Sequence, residues 1–597
     1  MKSIIEKIKK CGILKFSGLC AACVGVILFV VACFIKMNVL SIVGVSLVAA
    51  GALVAVAQKV LKRSIVRYIG TVLLAIAVAL FAIIFYVNNE KTSVLLMIIG
   101  VSLYTIGGII RAVTSNEHRL IKCLLLLASV PVIVPWLVPS GYFYGGDFVN
   151  YGFHRIGLMD IGFGYLYSIS ASIQTFATYI DKVIYLLLVA GFYGVLAKTE
   201  GYKKLTDKCG SLIKKRPILW TIIISVVLFA LTSIVSQTFA LLIVIPFIYT
   251  SLLKANFDKL TAFAISFGSI IVGLLGATYG TEIIGGATSA LQNTVSFGLG
   301  HRFIIAAIAV VLYNFFLVMR VRKVEAESKK TTKNSTVEDD PFAVETTKSK
   351  ASCLPVAILF GVIAIFMIIS FIGWNTNWNI NIFNQFHNWL TSLFKVDDVS
   401  MVGQVLEAHI AENSITGAIG EMTFLTFNSA IVFIATILIA VAEKVNVNEF
   451  ISNFAEGARK ATKAVFLMSI IYFMYFLTYW APFTPVIANY LLNVTSGFNL
   501  WFTSLTMILA SIFTDAAFIA TYIMNFVNSY AANFEIAYSV FTSLNALTQI
   551  VVPTSLLLVT GLSLLKVDYK QWLKYIWLYV VGMLVILMVF FEVLLTI

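Results

Sequence analysis

The sequence predicts an all-α, multi-pass membrane protein, and three observations lead to that prediction. The chain of 597 residues is 60% hydrophobic and only 12% charged, about half the charged share of an ordinary soluble domain. Apolar runs of roughly 20 residues recur from one end to the other, each long enough for a helix to cross a hydrocarbon core of about 30 Å. These runs are continuous rather than alternating, which argues against a transmembrane β-barrel.

The excess of basic residues orients the chain and does not indicate a nucleic-acid partner. The net charge is +14, and Lys and Arg concentrate in short loops, above all between residues 198 and 216. Two long loops, 140–178 and 373–420, hold one basic residue each, Arg155 and Lys395. By the positive-inside rule the basic loops are cytoplasmic and the long loops are external. We therefore expect a protein of the cytoplasmic membrane, in contact with the lipid bilayer, whose N-terminus is cytoplasmic.

The apolar runs divide the chain into four parts. Residues 1–115 hold four close-set spans with few ionisable side chains, as expected for a packing or lipid-contacting extension. Residues 119–319 and 351–597 each combine full spans, an aromatic external loop and apolar stretches interrupted by polar residues. Between them, residues 320–350 have the composition of a disordered, hydrophilic, cytoplasmic linker. Two halves of like plan are typical of secondary transporters built from internal repeats, although the charge count leaves their relative orientation open.

Sequence motifs for catalysis or metal binding are absent. The chain has no G-x-x-x-x-G-K-[ST] and no H-E-x-x-H, and the C-x-x-C at Cys20 and Cys23 has no second pair. We therefore expect no enzymatic activity and no cofactor. Transport would draw on an ion gradient or on exchange, and Na⁺ enters only as a coupling ion.

Polar and glycine-containing sequence inside apolar runs predicts where a binding site lies. Broken helices at membrane depth are tolerated only where they line a cavity or are buried in protein. Their free N–H groups suit anions and their unwound carbonyls suit Na⁺. Four stretches qualify: SIVSQTF (233–239), TYGTEIIGGATS (278–289), SIFTDAAFIAT (511–521) and NALTQIVVPTS (545–555).

These stretches supply the candidate residues for solute binding and ion coupling. Pro553 is expected to end one half-helix, so that Thr554 and Ser555 present their hydroxyls at the break. Lone carboxylates at bilayer depth cost about 2.5–3.5 kcal/mol, so Glu282 and Asp515 are expected to couple transport to Na⁺ or H⁺. The alternative is that they lie near an interface, where the cost is small, and that the buried amides only bond across helices. The remaining candidates for solute binding are Gln237, Thr281, Gly285, Gly286, Asn545 and Gln549.

Four longer segments carry a resemblance to a known family. They are VPWLVPSGYF (134–143), GVLAKTEGYKKL (194–205), FAEGARKATKAV (454–465) and ALTQIVVPTSLLLVTGLSLLKVDYKQWLKY (546–575). Together they resemble the C4-dicarboxylate anaerobic carrier family of the ion-transporter superfamily, including its basic-amino-acid antiporter branch. The resemblance covers about residues 119–597.

The resemblance implies a secondary carrier with two repeats, plus the four extra N-terminal helices. Each repeat would contribute a re-entrant hairpin and a broken helix to a site at the membrane midplane, and transport would use an elevator-like motion. The family pattern also places Thr548, Pro553, Thr554 and Ser555 in the site. It extends less securely to the interrupted stretch 278–289.

The chain departs from the family pattern at several of these positions. SQTFALLIVIP stands where the family has an acidic pair, and SIFTDAAF stands where it has a P-S-x-S-G tip. Asn545 replaces the Asp of a Gly-Asp-Gly, and Gln549 replaces an Asn. The resemblance therefore predicts a carrier without fixing a dicarboxylate as its solute.

We expect a secondary transporter, working by symport or antiport, for an amino acid, a peptide-like compound or a carboxylate. Its partners would be this small-molecule solute and the bilayer, and a homodimer is allowed but not required. A non-transporting membrane scaffold derived from a transporter fold stays open, since the linker and the extra helices would suit docking. A membrane enzyme would need a cluster of acids or histidines, and a channel would need a ring of like charges.

Overall fold

The computed structural model describes most of the chain beyond residue 64. The described residues are 65–170, 177–290, 294–328, 340–347, 352–393, 395–396, 399–400, 418–422, 425–524, 526 and 533–596, together with Val24. The predicted spans at 12–34 and 39–57 lie outside the described residues, apart from Val24.

The described residues are mostly helical. As far as residue 328 the elements are α1 (Ile65–Ile84), α2 (Glu90–Val113), α3 (Arg119–Ala128), α4 (Val130–Ile133), β1 (Ser140–Tyr144), β2 (Asp147–Gly152), α5 (Leu158–Ser170), α6 (Ala177–Leu196), α7 (Glu200–Lys215), α8 (Pro217–Ile234), α9 (Ile245–Lys254), α10 (Lys259–Phe263), α11 (Ser269–Gly273), α12 (Thr281–Ala290) and α13 (Leu299–Ser328). After residue 350 they are α14 (Leu354–Ile369), α15 (Trp374–Trp378), α16 (Ile382–Ser392), β3 (Lys395–Val396), β4 (Val399–Ser400), α17 (Thr426–Ala442), α18 (Val447–Trp480), α19 (Thr484–Leu492), α20 (Leu500–Phe513), α21 (Ala516–Tyr522), α22 (Phe534–Gln549), α23 (Leu556–Leu564) and α24 (Tyr569–Thr596). Short 3₁₀ segments cover Val134–Trp136, Thr238–Ile243 and Leu274–Gly276, and a π-helical turn joins α10 to α11.

Nine helical segments in the described part of the chain are long and apolar enough to cross a membrane. They confirm the prediction of an all-α multi-pass protein. The strands form only two small antiparallel hairpins, in which Tyr142 pairs with Val149 and Val396 pairs with Val399. Apolar residues continue α18 without a break to Trp480, and the chain leaves the helix only at 481–483, beside Pro482.

One of two compact units consists of residues 1–165 and 473–514. Within it α1 and α2 lie in close contact, because a Cβ on Gly70 would stand 2.9 Å from the carbonyl oxygen of Gly107. α2 also packs against α19, and the β1 strand is bonded to the same region through Gly141 N–H and the carbonyl of Pro482, at 3.0 Å. The described part of the predicted N-terminal extension, α1 and α2, therefore shares a unit with a helix from the second half of the chain, α19.

The second unit consists of residues 166–472 and 515–597 and contains the predicted site residues. In it α6 packs against α17 and against the 3₁₀ segment 238–243, and α8 packs against α11 and α13. α12 packs against α21, while α22 packs against α12, α24 and the 3₁₀ segment 274–276. These contacts position the interrupted stretches.

Part of the linker is packed onto this second unit. α13 continues to Ser328, and residues 340–347 lie against α7 and α9. The carboxylate of Asp340 accepts hydrogen bonds from Thr250 Oγ1 (3.0 Å) and from backbone N–H groups of its own turn, and Phe342 is buried beside it. Burial raises the pKa of the Asp340 carboxyl. Composition predicted a disordered linker, but local hydrogen bonds and buried apolar side chains fix this part of it.

Candidate functional site

The chain between α11 and α12 is interrupted, and the end of α8 stabilises this interruption. α8 ends at Ile234 and the chain continues in an extended conformation at Val235. The carbonyl oxygen of Ser233 accepts hydrogen bonds from the backbone N–H groups of Thr278, Tyr279 and Gly280, at 2.9, 3.1 and 2.9 Å. We call residues 277–280 the first break. Its free N–H groups are therefore satisfied by the neighbouring helix end.

The close approach at the first break requires a glycine. A Cβ on Gly280 would lie 2.5 Å from the carbonyl oxygen of Val235 and 3.2 Å from that of Ser233. No side chain fits there without moving the backbone of one segment or the other.

Arg302 satisfies the carbonyl groups of the same break. Its side chain is 2% exposed, and one guanidinium nitrogen donates to the carbonyls of Ala277 (3.0 Å) and Thr278 (2.6 Å). The other donates to the carbonyls of Val295 and Phe297, the latter at 3.0 Å. A buried arginine on α13 therefore replaces the hydrogen bonds that a continuous helix would have made.

Glu282 follows the first break, in the first turn of α12, where a helix favours negative charge. Its Oε2 atom accepts hydrogen bonds from the N–H (2.7 Å) and the hydroxyl of Thr238. Its Oε1 atom lies 3.8 Å from Lys182 Nζ. The segment that looked apolar in sequence, SQTFALL, thus supplies the residue that holds the predicted coupling carboxylate.

Lys182 lies on α6, inside the candidate membrane span Tyr179–Leu196. Its side chain is 13% exposed, and its ammonium group stands 5.1 Å from the centre of the Phe239 ring. The charges of Asp515 and Asp181 act on it together with that of Glu282. We call Lys182, Glu282, Asp515 and Asp181 the Lys182 cluster.

Two carboxylates of the cluster are also fixed by backbone groups. Asp515 begins α21 and accepts from Phe518 N–H at 2.7 Å. Asp181 is buried and accepts from Leu425 N–H, also at 2.7 Å. The two predicted coupling residues, Glu282 and Asp515, are therefore brought together around a lysine that sequence reasoning missed. The available signal was the Asp-Lys pair at 181–182 within an otherwise apolar helix.

The two helix ends that precede this cluster have related sequences. α8 ends in Ser-Ile-Val-Ser-Gln (233–237), and α20 ends in Ser-Ile-Phe-Thr-Asp (511–515). At both helix ends the backbone becomes extended, at Val235 and at Thr514, and a short helical segment follows. In this alignment half-buried Gln237 stands at the position of Asp515.

The Pro-Thr-Ser stretch forms a second interruption, residues 550–555, which we call the second turn. The carbonyl of Ile550 accepts from Trp572 Nε1 (2.9 Å), and that of Val551 accepts from the Tyr569 hydroxyl (2.7 Å). Ser555 caps α23 by accepting from Leu558 N–H at 3.3 Å.

α22 ends at Gln549, four residues before Pro553. The last helical bond joins Val552 N–H to the carbonyl of Thr548 at 3.0 Å, and Pro553 has no N–H to donate to the carbonyl of Gln549, so it ends the half-helix as predicted. Pro553 and Thr554 lie buried within the second turn. The second turn is thus packed on α24.

The other predicted residues lie in helices. Asn545 and Thr548 are buried in α22, where the Thr548 hydroxyl donates to the carbonyl of Leu544 at 2.7 Å, and Gln549 is half-buried at the helix end. Thr281 begins α12. Gly285 and Gly286 were predicted within an interruption, but both lie inside α12, since the broken part of that stretch is confined to 277–280. Among the described residues, no three or more His, Cys, Asp or Glu side chains are grouped as they would be around a metal ion.

Comparison with known proteins connects this arrangement to a family. Residues 167–596 match the family model DcuC, the C4-dicarboxylate anaerobic carriers. A solved structure, the YdaH transporter of Alcanivorax borkumensis, aligns with 80% of this chain and 97% of its own at 12% identity and a TM-score of 0.36. Curated proteins give no significant match. The family match spans most of the chain and confirms the resemblance: the chain belongs to the C4-dicarboxylate anaerobic carrier family and is a multi-pass secondary transporter.

Proposed function

We propose that this carrier moves a small organic solute across the cytoplasmic membrane, with its N-terminus in the cytoplasm. The solute is an amino acid, a peptide-like compound or a carboxylate such as a C4-dicarboxylate. A Na⁺ or H⁺ gradient, or exchange of one solute for another, drives the movement.

The observation that carries the proposal is the Lys182 cluster. Removing charged groups from water costs several kcal/mol per ion unless they are paired and hydrogen-bonded. Ionisable residues within membrane spans therefore usually belong to a substrate or ion pathway. In the cluster the Lys182 ammonium pairs with Glu282 at 3.8 Å and lies in the field of Asp515 and Asp181, which suits a pathway for a charged solute or ion.

The same cluster supports an amino acid as the preferred solute. A carboxylate of the solute would meet the ammonium of Lys182 and the N-terminal N–H groups of α12. An ammonium of the solute would meet Asp515 or Glu282. Gln237 lies on the turn that precedes Thr238, and α22, which carries Asn545 and Gln549, packs against α12. These residues would surround the rest of the solute.

The second turn has a different part in this proposal. Thr548, Pro553, Thr554 and Ser555 shape the protein around the site through a fixed backbone, since the Thr548 and Ser555 oxygens bond within their own helices. Altering them would mainly lower the stability of the protein, by loosening the packing of α22 and α23.

Counterflow in proteoliposomes tests the function directly. Labelled amino acids and dicarboxylates are offered with and without a Na⁺ gradient, and one of them should accumulate inside vesicles preloaded with the unlabelled solute. The double variant Glu282→Gln, Asp515→Asn should lose this accumulation by at least about tenfold, the scale of one lost 1.4 kcal/mol interaction.

The matched control is Glu449→Gln, Asp147→Asn, which removes the same two charges from exposed positions and should transport normally. Normal accumulation by the Glu282, Asp515 variant would refute the coupling role. Absence of exchange of any offered solute by folded wild-type protein would refute the transport proposal and favour the scaffold alternative.

A further inference from the structure

Lys182 occupies the side of Glu282 that is open to a cation. One carboxylate oxygen of Glu282 is taken by the N–H and hydroxyl of Thr238, and the other faces Lys182 Nζ at 3.8 Å. The ammonium also lies over the Phe239 ring, at 5.1 Å. Both contacts are of the kind that stabilises a single positive charge in a water-poor site.

A bound Na⁺ would use the same groups. Sodium sites in carriers with broken helices combine unwound backbone carbonyls with oxygen-bearing side chains. Here Glu282 supplies the oxygen-bearing side chain, whereas the carbonyls of Ala277 and Thr278 are already bonded to Arg302. Lysine supplies the same unit charge as a compact group with three donors, but it is attached to α6 and cannot leave.

We propose that the ammonium group of Lys182 takes, beside Glu282, the place of a coupling Na⁺, so that this position works without sodium. This inference rests on the proposed function, because it assumes an ion-coupled carrier and says that Na⁺ is not needed beside Glu282. The drive would then come from H⁺ or from solute exchange.

Removing the lysine charge should convert the position into a sodium site. In Lys182→Gln the carboxylate of Glu282 stays beside the first break without its positive partner, and a small cation restores the balance. Lys182→Arg keeps a positive charge and should not create the site.

The test is the melting temperature of the full-length protein in detergent, in NaCl against choline chloride at equal ionic strength. Lys182→Gln should melt about 2 °C higher in NaCl, from a ligand at roughly one hundred times its Kd in a chain of this length. The double variant Lys182→Gln, Glu282→Gln should lose this shift. Wild type and Lys182→Arg should not show a sodium shift that depends on Glu282.

Lys460→Gln is a matched control. Lys460 also pairs with a glutamate, Glu456 at 3.5 Å, and also lies over an aromatic ring, that of Phe342 at 5.3 Å. Its loss should not produce a sodium response, so a shift limited to Lys182→Gln identifies the cluster.

Two results would overturn the proposal. One is a Lys182→Gln protein whose melting temperature, or failure to fold, is the same in both salts. The other is a wild-type sodium shift that Glu282→Gln abolishes, since the position would then already hold Na⁺. Neither result depends on the solute, so failure of this proposal is distinct from failure of counterflow.

Discussion

The first break and the second turn interrupt helices of the same unit, but they are held by different chemistry. At the first break, the carbonyl of Ser233 and the guanidinium of Arg302 satisfy the freed backbone, and the charged Lys182 cluster follows it. At the second turn, the indole of Trp572 and the hydroxyl of Tyr569 satisfy the carbonyls. Charged side chains therefore stabilise the first break, whereas hydrogen bonds from aromatic side chains stabilise the second turn.

The difference shows that a polar stretch of sequence within an apolar run does not by itself mark a binding site. Pro553-Thr554-Ser555 stands out in an apolar run, yet the Ser555 hydroxyl serves a helix cap. Thr238 lies in a segment that reads as apolar, yet it holds Glu282. We therefore expect changes at the first break to affect transport and stability together, and changes at the second turn to affect mainly stability.

The largest expected effect comes from Arg302→Gln. The change leaves buried carbonyls of the first break without donors, at about 1–3 kcal/mol each, so we expect the free energy of unfolding to fall by roughly 3–5 kcal/mol. Thermal or chemical unfolding in detergent measures this loss, and counterflow should fall with it. Arg320→Gln is the control, because Arg320 is half-exposed and its ion pair with Asp258 is 3.5 Å long. Equal losses of unfolding free energy in both variants would contradict the conclusion that Arg302 stabilises the first break.

Gly280→Ala should have the next largest effect. The new Cβ would press on the carbonyl of Val235, and overpacking of this kind typically costs about 1–3 kcal/mol. We also expect counterflow to fall, because the shift displaces the start of α12 and with it Glu282. Gly582→Ala is the control, since a Cβ there meets nothing within 4 Å. A Gly280→Ala protein with normal transport would break the link between this break and the cluster.

The sequence predicted the fold class, most of the described helices and the approximate places of both interruptions. It could do so because the length of an apolar run decides whether a helix can cross a membrane, and polar residues within such a run are costly unless used. Glu282 and Asp515 were selected on that cost alone. Their roles and those of the solute-binding candidates stay predictions.

The supporting cations could not be predicted in the same way. Lys182 is about 100 residues from Glu282 in sequence, and the pair forms only because α6 packs against residues 238–243. Arg302 gave no sign that it would bond four carbonyls. Trp572 and Tyr569, which bond the carbonyls that follow the end of α22, lie on α24 and were not predicted. Each of these depends on tertiary contacts.

A smaller effect is expected at the second turn. Tyr569→Phe removes the hydroxyl that donates to Val551 and should cost about 1 kcal/mol, visible as a lower melting temperature with counterflow retained. Tyr575→Phe is a close control, because among the described residues the buried Tyr575 hydroxyl has no hydrogen-bond partner. Loss of transport in Tyr569→Phe without loss of stability would show that the second turn has a direct role, and would break the comparison.

The smallest expected effect is a pH dependence of stability that comes from Asp340 in the packed linker. It has to be measured before any pH response is assigned to the first break. Burial raises the pKa of Asp340 in the folded protein, so the folded state holds this proton more tightly than the unfolded state. Its contribution to stability is therefore complete below the ordinary pKa of 3.8 and is lost as the pH rises through the folded pKa. The pKa of Glu200 is lowered instead, by the Thr347 hydroxyl and then by Lys203, so its contribution is present above 4.5 and is lost as the pH falls. Above about pH 5 Glu200 is ionised in both states, so of these two groups Asp340 alone adds a slope.

We expect the melting temperature of the wild type, relative to Asp340→Asn, to decline as the pH is raised from the ordinary pKa of 3.8 through the raised pKa of the folded state. Glu449→Gln, which changes an exposed carboxylate, should follow the wild type over the whole range. Parallel curves for wild type and Asp340→Asn would mean that Asp340 does not titrate there. A pH dependence of counterflow that persists in Asp340→Asn would then have its source outside the packed linker.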